Sequence, residues 1–254
     1  MTAGSGKADS SIAGRSGFGA GGTLPREPHF AAPSLLRRLA LLIEMLALFI
    51  GLPIALFYAV RYEALPLFVV LQPVLLAFVA FLVLDRSFSL WRELIRLPSL
   101  SELGSMAAIL VIAGGMVAAF VAQELPEKYL NFPLQRPHTW ERIMLLYPLL
   151  SVPVQELVYR TFFFHRYGPL FGSERGVLIV TNGALFGFAH IVFGNTVAIF
   201  GSMVIGALLA YRYEATRSFW AVWLEHTLWG WLVFTVGLGH FFFTGVSNIG
   251  RFLP

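Results

Sequence analysis

The chain has 254 residues, of which 57% are hydrophobic and only 13% are charged, with a mean hydropathy of +0.73. A soluble domain carries about 25% charged residues, so this chain has too little polar surface for a water-facing globule. The absence of cysteine excludes disulfides, thiol catalysis and thiolate metal sites.

The composition predicts an all-α, polytopic membrane helix bundle with about seven transmembrane helices. Its 24 Phe and 24 Gly fit membrane helices, where Gly permits close packing. The net charge is +4, but the basic residues gather at the ends of apolar runs, which indicates membrane topology rather than nucleic-acid binding. The expected partner at this point is therefore the lipid bilayer, and not nucleic acid.

Residues 1–34 are rich in Gly, Ala, Ser and Pro without apolar periodicity, which predicts a disordered N-terminal tail. Seven apolar runs follow, and we interpret each as a transmembrane helix. The runs cover residues 39–60, 65–84, 103–122, 143–164, 176–193, 197–211 and 219–238. We divide them into N-terminal transmembrane helices and loops (35–142) and a C-terminal transmembrane core (143–245).

When the N-terminus is placed in the cytoplasm, most Lys and Arg residues of the loops and tails fall on the cytoplasmic side. This distribution predicts a plasma-membrane protein with a cytoplasmic N-terminus. Glu44 lies inside the first run, and we expect its side chain to extend to the interface. The chain has no internal repeat, which argues against a transporter built on inverted halves.

Few ionisable residues remain at membrane depth, where they are expensive and usually functional. Glu156 and Arg160 lie four residues apart in the fourth run, so they share a helix face. His190 lies in the fifth run, and Glu225 and His226 lie in the seventh. The alternative is structural: each histidine as a packing residue, and the Glu–Arg pair as a lock between helices.

A carboxylate and an imidazole can activate a water for attack on a carbonyl, and a second imidazole can donate to the developing oxyanion. This combination describes peptide hydrolysis. One glutamate and two histidines could also bind zinc with one position open. Zinc is not favoured, because the chain has no His-Glu-x-x-His motif, so no cofactor is expected. A proton relay is the third possibility.

Three motifs in successive apolar runs resemble the CPBP family, which contains the type II CAAX prenyl endopeptidases and bacteriocin-processing, abortive-infection-like proteins. The family patterns are Glu-Glu-x-x-x-Arg, Phe-x-x-x-His and His-x-x-x-Asn or Asp. The corresponding segments run from Gln155 to Arg160, from Phe186 to His190 and from His226 to Gly230. The resemblance extends over residues 145–239 and rests on the order and spacing of the motifs.

The resemblance implies intramembrane proteolysis of a membrane-associated peptide, including prenylated CAAX-type substrates, without a nucleophilic side chain. In the family, the first glutamate and the second-motif histidine activate water, and the last histidine and the asparagine form the oxyanion site. His190 and His226 match these histidines. Glu156 and Arg160 match the second glutamate and the arginine of the first motif.

Two positions depart from the family pattern. Gln155 stands in place of the water-activating glutamate, and Gly230 stands in place of the oxyanion asparagine. We expect Glu156 to take over as the base, with Glu225 or Asn195 as further candidates to compensate. The predicted catalytic residues are Glu156, His190 and His226, supported by Gln155, Arg160, Phe186, Glu225 and Gly230. Three hypotheses follow: an endopeptidase, a non-catalytic relative that serves as an interaction or immunity protein, and a small transporter or channel.

Overall fold

The computed structural model describes residues 34–62 and 67–242, and within these two ranges it is helical with no strand. The predicted all-α class is therefore confirmed. Four helices are long and apolar enough to cross a membrane: Leu35–Tyr62, Leu100–Glu124, Arg175–Phe193 and Thr196–Thr216. The predicted count of seven spans is not confirmed, although helices also form over the other three apolar runs. The predicted N-terminal tail, apart from its last residue, lies outside the described residues.

The helices follow one another with short connections. They are α1 Leu35–Tyr62, α2 Leu67–Leu84, α3 Leu90–Ile95, α4 Leu100–Glu124, α5 Asn131–Gln135, α6 137–171, α7 Arg175–Ala189, α8 Thr196–Thr216 and α9 Phe219–Val236. A 3₁₀ turn, His190–Phe193, ends α7. Polar N-cap side chains accept backbone hydrogen bonds and so define where four helices begin. These caps are Ser34 for α1, Ser99 for α4, Asn195 for α8 and Ser218 for α9.

Helix α6 is irregular because prolines interrupt its hydrogen bonds. Pro148 has no N–H to donate to the Met144 carbonyl, and the backbone widens into a π-helical turn over Tyr147–Ser151. Indole groups of α9 donate to α6 carbonyls at this turn: Trp231 Nε1 to Met144 O at 2.9 Å, and Trp223 Nε1 to Pro148 O at 2.7 Å. The break in α6 thus docks α9, the helix with the third motif, against it.

Helices α7 and α8 pack closely, and a glycine makes room for the second-motif phenylalanine. A Cβ at Gly206 of α8 would lie only 2.8 Å from Phe186 Cδ1. The missing side chain lets the Phe186 ring lie directly on α8, where it is 1% exposed. Phe186 is thereby held in the centre of the bundle, between α6, α8 and α9.

Arg212 and Glu225 form a buried bidentate ion pair between α8 and α9. Arg212 Nε lies 2.8 Å from Glu225 Oε2, and Nη2 lies 3.0 Å from Oε1. Arg212 Nη1 also donates to Ser105 Oγ at 2.7 Å, which adds α4 to the network. The predicted sixth span ended before Arg212, whereas α8 continues to Thr216 and buries the guanidinium. The pair ties three helices together.

Glu44 is held by an ion pair with α6. Both of its carboxylate oxygens accept hydrogen bonds from Arg166 of α6, at 2.9 and 2.8 Å, and Tyr167 Oη donates to Oε1 at 3.0 Å. A bidentate guanidinium–carboxylate contact of this kind has a defined geometry. It fixes α1 against the last turns of α6.

Removal of one partner of the Arg212–Glu225 pair should destabilise the protein strongly. Glu225→Ala leaves a buried guanidinium unpaired, a loss of about 3–5 kcal/mol that thermal unfolding in detergent would register. The matched control is Arg175→Ala, which removes an arginine side chain that is 65% exposed from its pair with Glu214. Glu214 keeps Arg217 as a second partner, so no buried charge is left unpaired. The control should cost less than about 1 kcal/mol. Equal unfolding midpoints for the two variants would contradict this assignment.

Asp85, in the loop after α2, should make stability depend on acid pH. Hydrogen bonds from Ser87, and next the contact with His165 at 2.9 Å, lower the pKa of Asp85 from 3.8 to about 2. A lowered folded-state pKa stabilises the fold above the unfolded-state value, and this contribution disappears as pH falls from about 4 towards 2. The difference in unfolding midpoint between the wild type and Asp85→Asn should shrink over that range. A constant difference would show that the Asp85 carboxylate contributes nothing through its charge.

Candidate active site

Glu156 and His226 lie 70 residues apart in the chain and form a direct contact between α6 and α9. His226 Nδ1 lies 2.6 Å from Glu156 Oε1, with both side chains buried. A carboxylate only accepts hydrogen bonds, so in this ion-pair geometry Nδ1 of His226 carries the hydrogen. The second ring nitrogen, Nε2, is left for other partners. A carboxylate that orients an imidazole in this way is a unit common to many hydrolytic sites.

Arg160 compensates the charge of Glu156 in a fully buried setting. Its Nε lies 3.4 Å from Glu156 Oε2, and both side chains are 0% exposed. Arg160 Nη1 donates to Asn182 Oδ1 at 3.0 Å, and Asn182 Nδ2 donates to the Tyr159 carbonyl at 2.6 Å. The guanidinium also lies over the Phe186 ring, 4.7 Å from its centroid. A buried ion pair needs such additional partners to offset desolvation.

His190 lies where α7 passes into its 3₁₀ turn. Its Nδ1 is 2.8 Å from the Phe186 carbonyl, which can only accept, so Nδ1 carries the hydrogen. The neutral ring then has an unprotonated Nε2, which no described residue contacts through a hydrogen bond. This nitrogen can accept a proton.

Phe186 brings the two histidines into one site. Its ring centroid lies 4.9 Å from that of His190 and 5.6 Å from that of His226. The three predicted catalytic side chains therefore belong to one cluster, since Glu156 contacts His226 directly.

A cavity of about 110 Å³ lies beside this cluster. Its polar lining consists of Ser151, Gln155, Tyr159 and His190, and the remaining lining is apolar, from α1, α2, α6 and the α7 end. Gln155 Nε2 donates to Ser151 Oγ at 2.9 Å, so the Gln155 carbonyl oxygen is left to accept a hydrogen bond. A cavity of this size holds several waters.

The structure separates the neighbours Gln155 and Glu156. Successive helix residues point about 100° apart. Gln155 lines the cavity, whereas Glu156 is turned inward to His226 and Arg160, where it is 0% exposed. The residue in the place of the family's water-activating glutamate is therefore the one at the cavity.

The two residues proposed to compensate are engaged elsewhere. The Glu225 carboxylate is committed to Arg212 on both oxygens. Asn195 caps α8 by accepting from the Ala198 N–H at 2.8 Å, and its amide donates to the Phe241 carbonyl at 2.7 Å. None of these hydrogen bonds connects Glu225 or Asn195 to the Glu156–His226 pair.

Sequence reasoning missed three residues of the site: Asn182, Ser151 and Tyr147. Asn182 precedes Phe186 by four residues and His190 by eight, so a polar residue at this helical spacing in an apolar run was a usable signal. Tyr147 had no such signal, because it contacts Gly230 of the third motif across two helices that are far apart in the sequence.

No group of three or more His, Asp or Glu side chains that could hold a metal ion occurs within residues 34–62 and 67–242. The Arg160 guanidinium already places a positive charge against the carboxylate of the Glu156–His226 pair. What the cluster can do chemically is hold protons at defined ring nitrogens next to a cavity.

The family model described as Type II CAAX prenyl endopeptidase Rce1-like matches residues 138–232. All three motifs lie inside this segment, and so does the cluster around Phe186. No curated protein and no solved structure matches the chain significantly. The family resemblance that the three motifs carry is therefore confirmed over residues 138–232, the segment that the Rce1-like type II CAAX prenyl endopeptidase model matches.

Proposed function

We propose that the protein is an intramembrane endopeptidase that hydrolyses a peptide bond of a membrane-associated substrate, with prenylated CAAX-type peptides as the first class to test. The observation that carries the proposal is the free Nε2 of His190 beside a cavity that also contains the Gln155 amide. The family match supports it, because the matched family is one of proteases.

In the proposed reaction, the Gln155 carbonyl oxygen positions a water and His190 Nε2 takes one of its protons. The water oxygen bonds to the peptide carbonyl carbon, and the carbonyl π electron pair moves to the oxygen, which becomes an oxyanion. His226, as an imidazolium beside Glu156, donates from Nε2 to this oxyanion. The C=O bond then re-forms, the C–N bond breaks, and His190 returns its proton to the leaving nitrogen. No cofactor enters these steps.

Glu156 receives a positioning role in this proposal, in place of the base role predicted from its sequence position. Its carboxylate is enclosed and shared between His226 and Arg160, so a water at the cavity does not reach it directly. A general base must lie within hydrogen-bond reach of the proton it abstracts, or one water away. His190 meets this requirement at the cavity.

Loss of the His190 imidazole should abolish most of the activity. His190→Ala removes the base and should lower kcat by about 10²–10⁴-fold, the range for a general base. The measurement is cleavage of a farnesylated CAAX peptide by purified protein in liposomes. His138→Ala is the matched control, because the His138 side chain is 90% exposed and should be dispensable. Cleavage that persists unchanged in His190→Ala would refute the proposal.

A non-catalytic relative is the second candidate function, and the Gln155 amide at the cavity favours it. An amide does not accept a proton as a carboxylate does, so Gln155 by itself can only position a water. In this case the fold would serve to bind a membrane peptide.

Gln155→Glu distinguishes the two candidates. For an endopeptidase it should raise kcat at least about tenfold, because a carboxylate adds proton-accepting capacity at the cavity. For a non-catalytic relative, the wild type should show no cleavage and the variant should gain it. Gln135→Glu makes the same charge change at an exposed residue and should have no effect. A wild-type rate above background excludes the non-catalytic function.

A further inference from the structure

The ring of Tyr147 occupies the space beside Gly230 that any larger residue would need. A Cβ at Gly230 would lie 2.6 Å from Tyr147 Cζ and 2.7 Å from its hydroxyl oxygen, and would also collide with Cε1. Only hydrogen fits at position 230 while Tyr147 keeps this place. The glycine and the tyrosine therefore form a complementary pair between α9 and α6.

The Tyr147 hydroxyl is a donor without a protein partner. No described residue makes a hydrogen bond with it. The enclosed polar atoms that lack partners, within the described ranges, belong to Glu156, Arg160, Thr161 and Thr227. Tyr147 is half-buried, and its hydroxyl is not among these enclosed atoms. The Nε2 atoms of His190 and His226 are not among them either.

The Tyr147 hydroxyl lies against the face of α9 that also carries His226. Gly230 follows His226 by four residues, so both lie on one face of the helix. The Tyr147 and His226 rings are in edge-to-face contact, with centroids 5.9 Å apart. A phenol and an imidazole, each with a free polar atom, thus stand side by side next to the catalytic cluster.

We propose that Tyr147 is a catalytic residue whose hydroxyl donates a hydrogen bond to the oxyanion, together with His226 Nε2. This inference rests on the proposed endopeptidase function. The phenol remains protonated throughout: it donates a hydrogen bond while the carbonyl electron pair is on oxygen, and no proton leaves it. The site thereby contains two donors although position 230 has no side chain.

The first test is Tyr147→Phe, which keeps the ring and removes only the hydroxyl. The loss of one oxyanion donor should lower kcat by about 10²–10³-fold. KM for the farnesylated CAAX peptide and the thermal unfolding midpoint should stay at wild-type values, because the ring still fills the space beside Gly230. Tyr58→Phe, at a residue that is 55% exposed, is the matched control.

A donor exchange is the second test. Gly230→Asn alone should lose activity and stability, since its side chain collides with the Tyr147 ring. Tyr147→Ala alone should lose activity and leave space. The double variant Tyr147→Ala/Gly230→Asn places an amide donor in that space and should be at least about tenfold more active than Tyr147→Ala, because one oxyanion donor has a larger effect than this.

Three results would overturn the inference. A wild type that cleaves the peptide as fast as Tyr147→Phe leaves the endopeptidase standing and removes Tyr147 from its mechanism. A Tyr147→Phe variant whose lost activity follows a lowered unfolding midpoint assigns the hydroxyl a structural role. Absence of cleavage by both the wild type and Gln155→Glu overturns the proposed function itself, and the inference with it.

Discussion

The site depends on the burial of a carboxylate and a guanidinium together at the centre of an apolar bundle. Glu156 and Arg160 are both fully enclosed, and neither could remain charged there without the other. The two charged groups also need hydrogen-bond partners, and these are His226 of α9 for Glu156 and Asn182 of α7 for Arg160. Three helices are thus oriented by one charged pair, and its contact with Nδ1 of His226 leaves Nε2 as the other ring nitrogen of that histidine.

The irregular backbone of α6 serves this arrangement. Prolines free carbonyl groups, which in a bilayer need donors from the protein. The indoles of Trp223 and Trp231 supply them and bring α9 close to α6. The π-helical turns on both sides of Val152–Glu156 change which residues face the cavity. Turns of this type are often found at functional sites.

The cavity and the charged cluster contain different kinds of polar group. The cavity is lined by the Gln155 amide and the His190 ring, which carry no fixed charge partner. The cluster behind it keeps full charges away from the apolar lining, since Glu156 and Arg160 are fully buried. The separation follows from helix geometry, because Gln155 and Glu156 are consecutive and cannot face the same side.

The sequence by itself determined the helical class, the apolar runs, the family resemblance and the identity of Glu156, Arg160, His190 and His226, because each depends on local composition or spacing. The tertiary structure decided which of these touch. It turned Glu156 away from the cavity, committed Glu225 to Arg212 and placed Tyr147 against Gly230. Such contacts join residues far apart in the chain, and no periodicity records them, since they arise from the rotation and close approach of packed helices.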